Sequence, residues 1–318
     1  MKRWIKRLMI QVLSKAPDSV LFPLAKGYVS GPDISDAIQA VRRLNAQGAK
    51  ATVDFLGEST RNKQEVKEVL ATYTRLVDEI ASAGVDADIS LKPTHLGLLI
   101  DREFFHRNIR TLVQHAAKHG IFVCMDMEAS PTVDATLESF VRLQDEGLRN
   151  IGWVSQSMLR RAVLDMKSTL KYKPRVRICK GVYREAFDQA FATKEAIHRN
   201  FGLLGKLLAQ AGGYPCFATH NEELIWESLN VVHSLDLTPD QYEFQTLFGV
   251  KEELVRVLSR EGHRVRVYVP FGKNWKRYIM RRLAETPDLF AYIKQTLFGN
   301  KKPHSKARPR PGALRQPA

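Results

Sequence analysis

The sequence predicts an α/β protein of the (β/α)8 barrel class, because eight short apolar runs alternate with amphipathic helices between residues 50 and 270. The runs begin at Ala51, Ala87, Ile121, Ile151, Arg175, Tyr214, Tyr242 and Val265. Their spacing of about 23 to 39 residues leaves room for one helix in each interval. The length of 318 residues suits one such barrel, and no glycine-rich phosphate loop follows any run, which disfavours a doubly wound sheet.

The clearest helix lies between the first two runs. Its apolar residues recur at i, i+3, i+4 and i+7, which is typical of an amphipathic helix that buries one face. These residues are Val66, Val69, Leu70, Tyr73, Leu76, Val77 and Ile80. Gly84 follows the stripe, and we expect it to end the helix.

Polar residues follow the apolar runs, where a barrel of this class places its chemistry, at the C-terminal ends of the strands. They are Glu58, Lys92, Asp126, Glu128, Gln156, Arg177, Lys180, Tyr183, Thr219, His220, Asn221, Glu243, Gln245 and Tyr268. Buried charges need partners, so we expect some of these groups to pair with one another at the barrel mouth.

The helix after the eighth strand contains Tyr278, Arg281 and Arg282 at i, i+3 and i+4. This spacing places a phenol and two guanidinium groups on one face. Paired arginines offer planar forks that bind a carboxylate or a phosphate with two parallel hydrogen bonds. A solvated basic face is the alternative, and the position of the helix beside the mouth favours the anion site.

Most of the formal charge of +15 lies at the two ends of the chain. Residues 1–15 and 300–318 contain basic residues and no acidic ones. We therefore divide the chain into N-terminal helices (1–49), a barrel (50–298) and a basic disordered tail (299–318). The first residues have the pattern of a basic amphipathic helix, which either lies on a membrane or packs on the domain.

Other features narrow the class of protein. No run is long enough to span a bilayer, so we expect a cytoplasmic protein whose basic ends contact the inner face of the cell membrane. The basic segments lack the interleaved aromatic residues of a surface that binds single-stranded nucleic acid, which argues against a nucleic-acid partner.

The cysteines and histidines do not form a recognised metal-binding motif. Cys124, Cys179 and Cys216 form no CxxC pair, and His115 and His119 have no neighbouring catalytic glutamate. We therefore predict no metal and place this histidine pair on a solvated helix face.

Seven motifs together make the chain similar to the flavin-dependent proline dehydrogenases, in their compact monofunctional bacterial form. They are SLKPTHLGL, MDMEAS, RICKGVYREA, FATHN, YEFQTLFG, RVYVPFG and YIMRRLAE, in the order of the family. The resemblance covers nearly the whole barrel. It implies oxidation of L-proline to Δ1-pyrroline-5-carboxylate with FAD, and a distorted barrel whose last helix lies over the mouth.

The resemblance also implies roles for individual residues. Asp126 and Arg177 would be catalytic, with Arg177 beside the reactive edge of the flavin. The proline carboxylate would be bound by Lys92, Arg281 and Arg282, and the ring walled by Tyr183, Leu247, Tyr268 and Tyr278. FAD would contact Met127, Gln156, Lys180, Gly181, Val182, Thr219 and His220.

The sequence also suggests partners for the protein and leaves alternative functions open. The expected partners are L-proline, a quinone or another electron acceptor, an anionic membrane and a separate pyrroline-5-carboxylate dehydrogenase. A 4-hydroxyproline dehydrogenase is a related alternative, although tyrosine at position 278 favours proline. A different class, a barrel hydrolase, would use two carboxylates such as Glu58 with Asp126 or Glu243, but leaves the two arginines without a purpose.

Overall fold

The computed structural model describes residues 27–285, with side chains described through Met280. Eight parallel strands form a closed barrel, in which each strand pairs with the next and β8 pairs with β1. The strands are β1 (Lys50–Phe55), β2 (Ala87–Leu91), β3 (Val123–Met125), β4 (Ile151–Gln156), β5 (Arg175–Cys179), β6 (Tyr214–Ala218), β7 (Glu243–Leu247) and β8 (Val265–Phe271). The predicted (β/α)8 fold is confirmed, and all eight predicted runs form strands.

Helices alternate with the strands and cover the outside of the barrel. They are α1 (Ile34–Ala46), α2 (Lys63–Ala83), α3 (Arg102–Ala117), α4 (Val133–Asp145), α5 (Ala162–Thr169), α6 (Lys194–Gln210), α7 (Glu222–Ser234), α8 (Glu252–Arg260) and α9 (Trp275–Glu285). Short 3-10 turns cover Pro93–Leu96, Ser130–Thr132 and Leu170–Tyr172. The apolar faces of strands and helices meet in one continuous core.

The ends of α2 show how local chemistry sets an element. The side chain of Asn62 accepts a hydrogen bond from the Glu65 backbone N–H, and so caps one of the helix donors that have no partner within the helix. Gly84 ends the helix in the left-handed conformation, at φ +61°, which a residue without a Cβ adopts at little cost. The predicted apolar stripe is buried, with only Leu70 partly exposed.

The interior of the barrel is polar. Alternate residues of a strand point to the same side, so residues two apart on one strand contribute two layers of side chains to the interior. The layer nearer the C-terminal ends contains Asp54, Ser90, Arg177 and Tyr268, and the layer below it contains Asp88, Arg175, Glu243 and Arg266. Interior charge is expensive, so each layer pairs its charges.

Within the described residues, the first helix before the barrel is α1, which packs against β1 and β8. The basic segment 1–15 and the tail 299–318 lie outside the described residues, and the division at residues 49 and 298 stays a prediction. Across residues 27–285, none of the helices combines the length and the apolar character that crossing a bilayer requires.

Candidate active site

Asp126 lies at the centre of the polar cluster at the barrel mouth, directly after β3. Its Oδ1 accepts hydrogen bonds from Arg177 Nη1 at 2.6 Å and Ser90 Oγ at 2.8 Å. Its Oδ2 accepts one from the Tyr268 hydroxyl at 2.9 Å. The side chain is 16% exposed, so this carboxylate is well bound yet reachable from the mouth.

Lys92, directly after β2, lies between two carboxylates. Its Nζ is 3.2 Å from Asp54 Oδ2 and 3.5 Å from Asp126 Oδ2. Asp54 belongs to the site but was not predicted from the sequence. It lies inside β1, and Glu58, the acidic residue after that strand, was predicted at this position of the mouth instead. The alternation of β1 is the signal that identifies it, since Thr52 and Asp54 share the interior face. Ser90, on β2, was missed for the same reason.

Arg177, on β5, crosses the barrel interior and is 7% exposed. It donates to Asp126 and Ser90 through Nη1 and to Gln245 Oε1 through Nε, at 2.6 Å for the last. Its guanidinium carbon lies 5.1 Å from the centre of the Tyr268 ring. These contacts hold the planar group in one orientation, which a flexible lysine would not reproduce.

The charges of the cluster set its protonation. Burial acts to raise the pKa of Asp126, but Arg177, Lys92 and the hydrogen bonds outweigh burial, so its pKa lies below the ordinary value. Burial raises the pKa of Asp54, although Lys92 opposes that change. Burial and the neighbouring carboxylates raise the pKa of Tyr268 well above its usual range. Asp126 is therefore the ionised acceptor of the cluster, and Tyr268 is a neutral donor.

Glu243 was predicted at the mouth, and the structure corrects this. It is the first residue of β7, so it lies at the opposite end of its strand, where Arg175 and Arg266 bind its carboxylate at 2.9 Å each. Burial opposes ionisation, but the two arginines lower the pKa of Glu243 to about 2. Gln245, two residues on, donates to Glu243 and accepts from Arg177, and so connects the two layers.

Glu58 lies at the mouth, as predicted, but it is already paired. Strand β1 ends at Phe55, and Glu58 lies in the following loop, where it forms an ion pair with Arg277 of α9 at 2.8 Å. The Asn274 side chain donates to the Leu56 carbonyl oxygen in the same region. The first turn of α9 therefore lies against the loop that follows β1, at the mouth. A pair of catalytic carboxylates built from Glu58 or Glu243 loses support, because arginines already bind both.

Gln156 ends β4 beneath the loop that follows β3. Its Nε2 donates to the Glu128 carbonyl oxygen at 2.8 Å, while its Oε1 is buried and has no partner within the described part of the chain. The Glu128 carboxylate is held by the backbone N–H and hydroxyl of Thr94. Met127, the residue before Glu128, is also buried. An unpaired buried acceptor is costly, so Gln156 is suited to a ligand that brings a donor.

The loop after β5 requires a glycine. Gly181 has φ +99°, and a Cβ at this position would lie 2.6 Å from Cγ of Met158. Its neighbours Lys180 and Val182 are exposed, with Val182 at 48%, and Tyr183 is partly buried. Glu185 of the same loop accepts from the Ser130 backbone N–H and hydroxyl, which joins this loop to the one after β3.

The loop after β6 is ordered by contacts to β7. The Nε2 of His220 accepts a hydrogen bond from the Leu247 backbone N–H at 2.9 Å, so a neutral His220 carries its proton on Nδ1. The Thr219 backbone N–H donates to the Gln245 carbonyl oxygen at 3.1 Å. Thr219, His220 and Leu247 are all partly exposed at the mouth.

The last described helix supplies the remaining predicted residues. Tyr278, on α9, is 7% exposed. Arg281 and Arg282 follow on the same helix, and their side chains lie outside the described part of the structure. The structure therefore brings Lys92, Asp126, Arg177 and Tyr268 into one cluster. Three residues separate the end of β8 from the start of α9, which lies at the same end of the barrel as this cluster.

The chain is similar to known proteins over most of its length. The family model described as proline dehydrogenase matches residues 37–288. Proline dehydrogenase 1 of Bacillus subtilis subsp. natto is 34% identical over 269 residues, which cover 85% of this chain and 89% of the relative. Proline dehydrogenase of Deinococcus radiodurans is 34% identical over 279 residues, covering 86% of this chain and 90% of the relative.

A solved structure shares the fold. Proline utilization A (PutA) of Bdellovibrio bacteriovorus, inactivated by N-propargylglycine, superposes with a TM-score of 0.80 at 23% identity, over 89% of this chain and 34% of that one. The chain thus spans about a third of that larger protein. With the family model matching most of the barrel, and relatives above 30% identity nearly end to end, the chain belongs to the proline dehydrogenase family.

Proposed function

We propose that the protein oxidises L-proline to Δ1-pyrroline-5-carboxylate, with FAD as the bound oxidant. The observation that carries this proposal is the cluster of Lys92, Asp126, Arg177 and Tyr268 at the mouth of a barrel of this family. A small zwitterion needs both a cationic and an anionic partner, and the cluster offers both within a few ångströms. The related proteins of Bacillus and Deinococcus are named for the same activity.

The residues present fit a flavin. The buried Oε1 of Gln156, unpartnered among residues 27–285, matches the N–H donor of a flavin pyrimidine ring. Gly181 allows the backbone to approach a large cofactor closely. We assign FAD contacts to Met127, Gln156, Lys180, Gly181, Val182, Thr219 and His220, all on loops or strand ends at the mouth. Bound FAD supplies the oxidising power and takes up the hydride that leaves C5 of proline.

The carboxylate of proline is bound by cations. Lys92 supplies a point charge at the end of β2, and Arg281 and Arg282 on α9 supply planar forks. The first turn of α9 lies against the loop after β1 at the mouth, which supports the assignment of this helix to the substrate site. Tyr183, Leu247, Tyr268 and Tyr278 wall the ring of the substrate.

The cluster prepares the amine for oxidation. Hydride departs from C5 when the nitrogen lone pair is available to form the C=N bond, so the substrate would react as the neutral amine after its ammonium proton has passed to water. The cations Lys92 and Arg177 act to lower the pKa of a bound ammonium, whereas the Asp126 carboxylate acts to raise it. Asp126, held ionised, lies near the amine and orients Lys92 and Arg177 through its two oxygens. With FAD bound, Arg177 would offer a cation that stabilises negative charge on the reduced cofactor.

Tyr278 bears on the choice of substrate. Tyr278 is buried, and we propose that its aromatic side chain takes up the space that a hydroxyl on the proline ring would need. We therefore assign proline, rather than 4-hydroxyproline, as the substrate.

Direct detection of the product tests this function. The purified protein, reconstituted with FAD and supplied with L-proline and a soluble electron acceptor, should release a product two hydrogens lighter than proline by mass spectrometry. N-propargylglycine, which inactivated the Bdellovibrio relative, should inactivate this protein too. Absence of the lighter product with FAD, proline and several acceptors present would overturn the proposal.

We further propose that the electrons pass to a membrane quinone, and that the basic ends of a cytoplasmic protein contact the anionic inner face of the membrane. The aldehyde formed by hydrolysis of the product would pass to a separate dehydrogenase. Removal of residues 300–318 should weaken binding to phosphatidylglycerol vesicles, while turnover with a soluble acceptor stays the same. Equal vesicle binding of the truncated and full-length proteins would contradict the membrane contact.

A further inference from the structure

A cluster of two histidines and one aspartate lies on the outer helix layer, away from the mouth. Asp78 is on α2, His115 is in the last turn of α3, and His119 lies two residues beyond that helix. Helices of this fold run from the mouth back to the opposite end of the barrel, so the last turns of α2 and α3 lie at the far end from the polar cluster of the active site.

The geometry of the cluster brings three ligand atoms together. The Nε2 of His115 lies 2.7 Å from Asp78 Oδ1, and the Nε2 of His119 lies 3.7 Å from the same oxygen. The two imidazole rings have centres 5.4 Å apart. The ligand atoms of all three residues lie within 4.8 Å of one another.

The backbone holds the two histidines on one face. The turn continues past the end of α3, because the His119 backbone N–H donates to the Ala116 carbonyl oxygen at 3.1 Å. Gly120 then ends the turn in the left-handed conformation, at φ +67°. Histidines four residues apart on such a turn point the same way, toward Asp78 on the neighbouring helix.

These donors match the preferences of zinc. Two imidazole nitrogens and one carboxylate oxygen form a common ligand set for Zn²⁺, with bonds of about 2.0–2.2 Å. Tetrahedral bonds of that length place ligand atoms roughly 3.4 Å apart. The His119–Asp78 distance is already close to this value, and the His115–Asp78 hydrogen bond must lengthen by less than an ångström. Partial exposure of all three side chains leaves a position for water.

We propose that Asp78, His115 and His119 bind one zinc ion, with water as the fourth ligand, and that the ion cross-links α2 to α3. Such a link joins two helices that otherwise pack through their apolar faces. The zinc site lies away from the proposed proline site, so loss of the zinc should leave proline oxidation unchanged. The two proposals can therefore be tested independently.

Equilibrium dialysis of the full chain against Zn²⁺, with bound metal measured by elemental analysis, tests the site. The wild type should bind one more zinc per chain than His119→Ala, and Asp78→Asn should bind that zinc at least about tenfold more weakly. Asp78→Asn keeps a hydrogen-bonding partner for His115, so a merely structural pair would tolerate it. His233→Ala, which removes a surface histidine on α7, is the matched control and should bind as the wild type does.

Two further readouts identify the ion. Co²⁺ should give the visible absorption of a tetrahedral site in the wild type and not in His119→Ala, whereas Mg²⁺, which prefers oxygen ligands, should not compete. Zinc should raise the thermal midpoint of the wild type and of His233→Ala but not of His115→Ala. Equal zinc binding by the wild type, His119→Ala and Asp78→Asn would overturn the proposal.

Discussion

Arg177 Nη1 donates a hydrogen bond to Asp126 Oδ1 at 2.6 Å, across the interior of the barrel from β5 to the end of β3. The same arginine lies beside the Tyr268 ring, and Tyr268 donates to the other oxygen of Asp126. A buried cation and an ionised carboxylate thereby fix one another's position in a place where neither would be stable alone. This mutual support is the basis of the first two predictions.

Arg177→Lys should lower kcat for proline oxidation by about a hundredfold, the scale seen when one positioned donor is removed from an active site. Lysine keeps the charge but cannot donate to Asp126, Ser90 and Gln245 at once. Steady-state kinetics with L-proline measure the effect. Arg142→Lys, at a surface pair with Glu103, is the matched control and should retain wild-type kcat. Full activity of Arg177→Lys would contradict a role that depends on the planar group.

Tyr268→Phe should raise the pKa of Asp126, because it removes a hydrogen bond to the ionised carboxylate. The acid limb of the pH profile of kcat/KM should then move to higher pH, with kcat/KM at neutral pH reduced about tenfold. Tyr214→Phe, whose hydroxyl donates to the Tyr242 carbonyl oxygen at the other end of the barrel, is the control. If the acid limb of Tyr268→Phe lies at the same pH as that of the wild type, the Tyr268 hydroxyl does not lower the pKa of Asp126.

Arg281→Lys should raise KM for proline at least about tenfold, with a smaller effect on kcat, because lysine keeps the charge and loses the two-pronged geometry. The exposed Arg42→Lys on α1 is the control. Steady-state kinetics with L-proline give the KM of each variant for comparison with the wild type. If KM of Arg281→Lys equals that of the wild type, Arg281 does not bind the carboxylate.

Glu243 should make stability depend on acid pH. Its pKa falls from 4.5 in the unfolded chain to about 2 in the folded one, so its stabilisation is present above pH 4.5 and is lost as the pH falls toward 2. The linked free energy is about 3 kcal/mol. Denaturant unfolding should show Glu243→Gln less stable than the wild type at pH 7, with the difference shrinking between pH 5 and pH 3. A difference that is constant across this range would contradict the assignment; surface Glu138→Gln is the control.

The eight strands could be predicted from the sequence because each combines an apolar run with a polar end. This pattern is local, so it can be recognised before the fold is known. The sequence placed Lys92, Asp126, Arg177 and Tyr268 correctly at one mouth, because parallel strands end on the same side. It misplaced Glu243, which is the second residue of the run that begins at Tyr242 and therefore lies at the N-terminal end of β7, opposite the mouth.

Other features depend on contacts between distant segments. Asp54 joins Lys92 only because β1 and β2 are neighbours in the barrel, and Glu58 pairs with Arg277, which lies 219 positions later in the chain. The alternation of β1 could have identified Asp54, whereas no local pattern indicates the Glu58–Arg277 pair. The approach of Asp78 to His115 and His119 likewise joins two helices, so spacing along one helix could not reveal it.

The absorption spectrum of the purified protein tests the central claim most directly, namely that this barrel holds a flavin which L-proline reduces. The account predicts a yellow protein, as isolated or after incubation with FAD, whose visible flavin bands bleach anaerobically on addition of L-proline and persist with D-proline. A colourless protein that does not take up FAD, or a bound flavin that stays oxidised with L-proline, would contradict it.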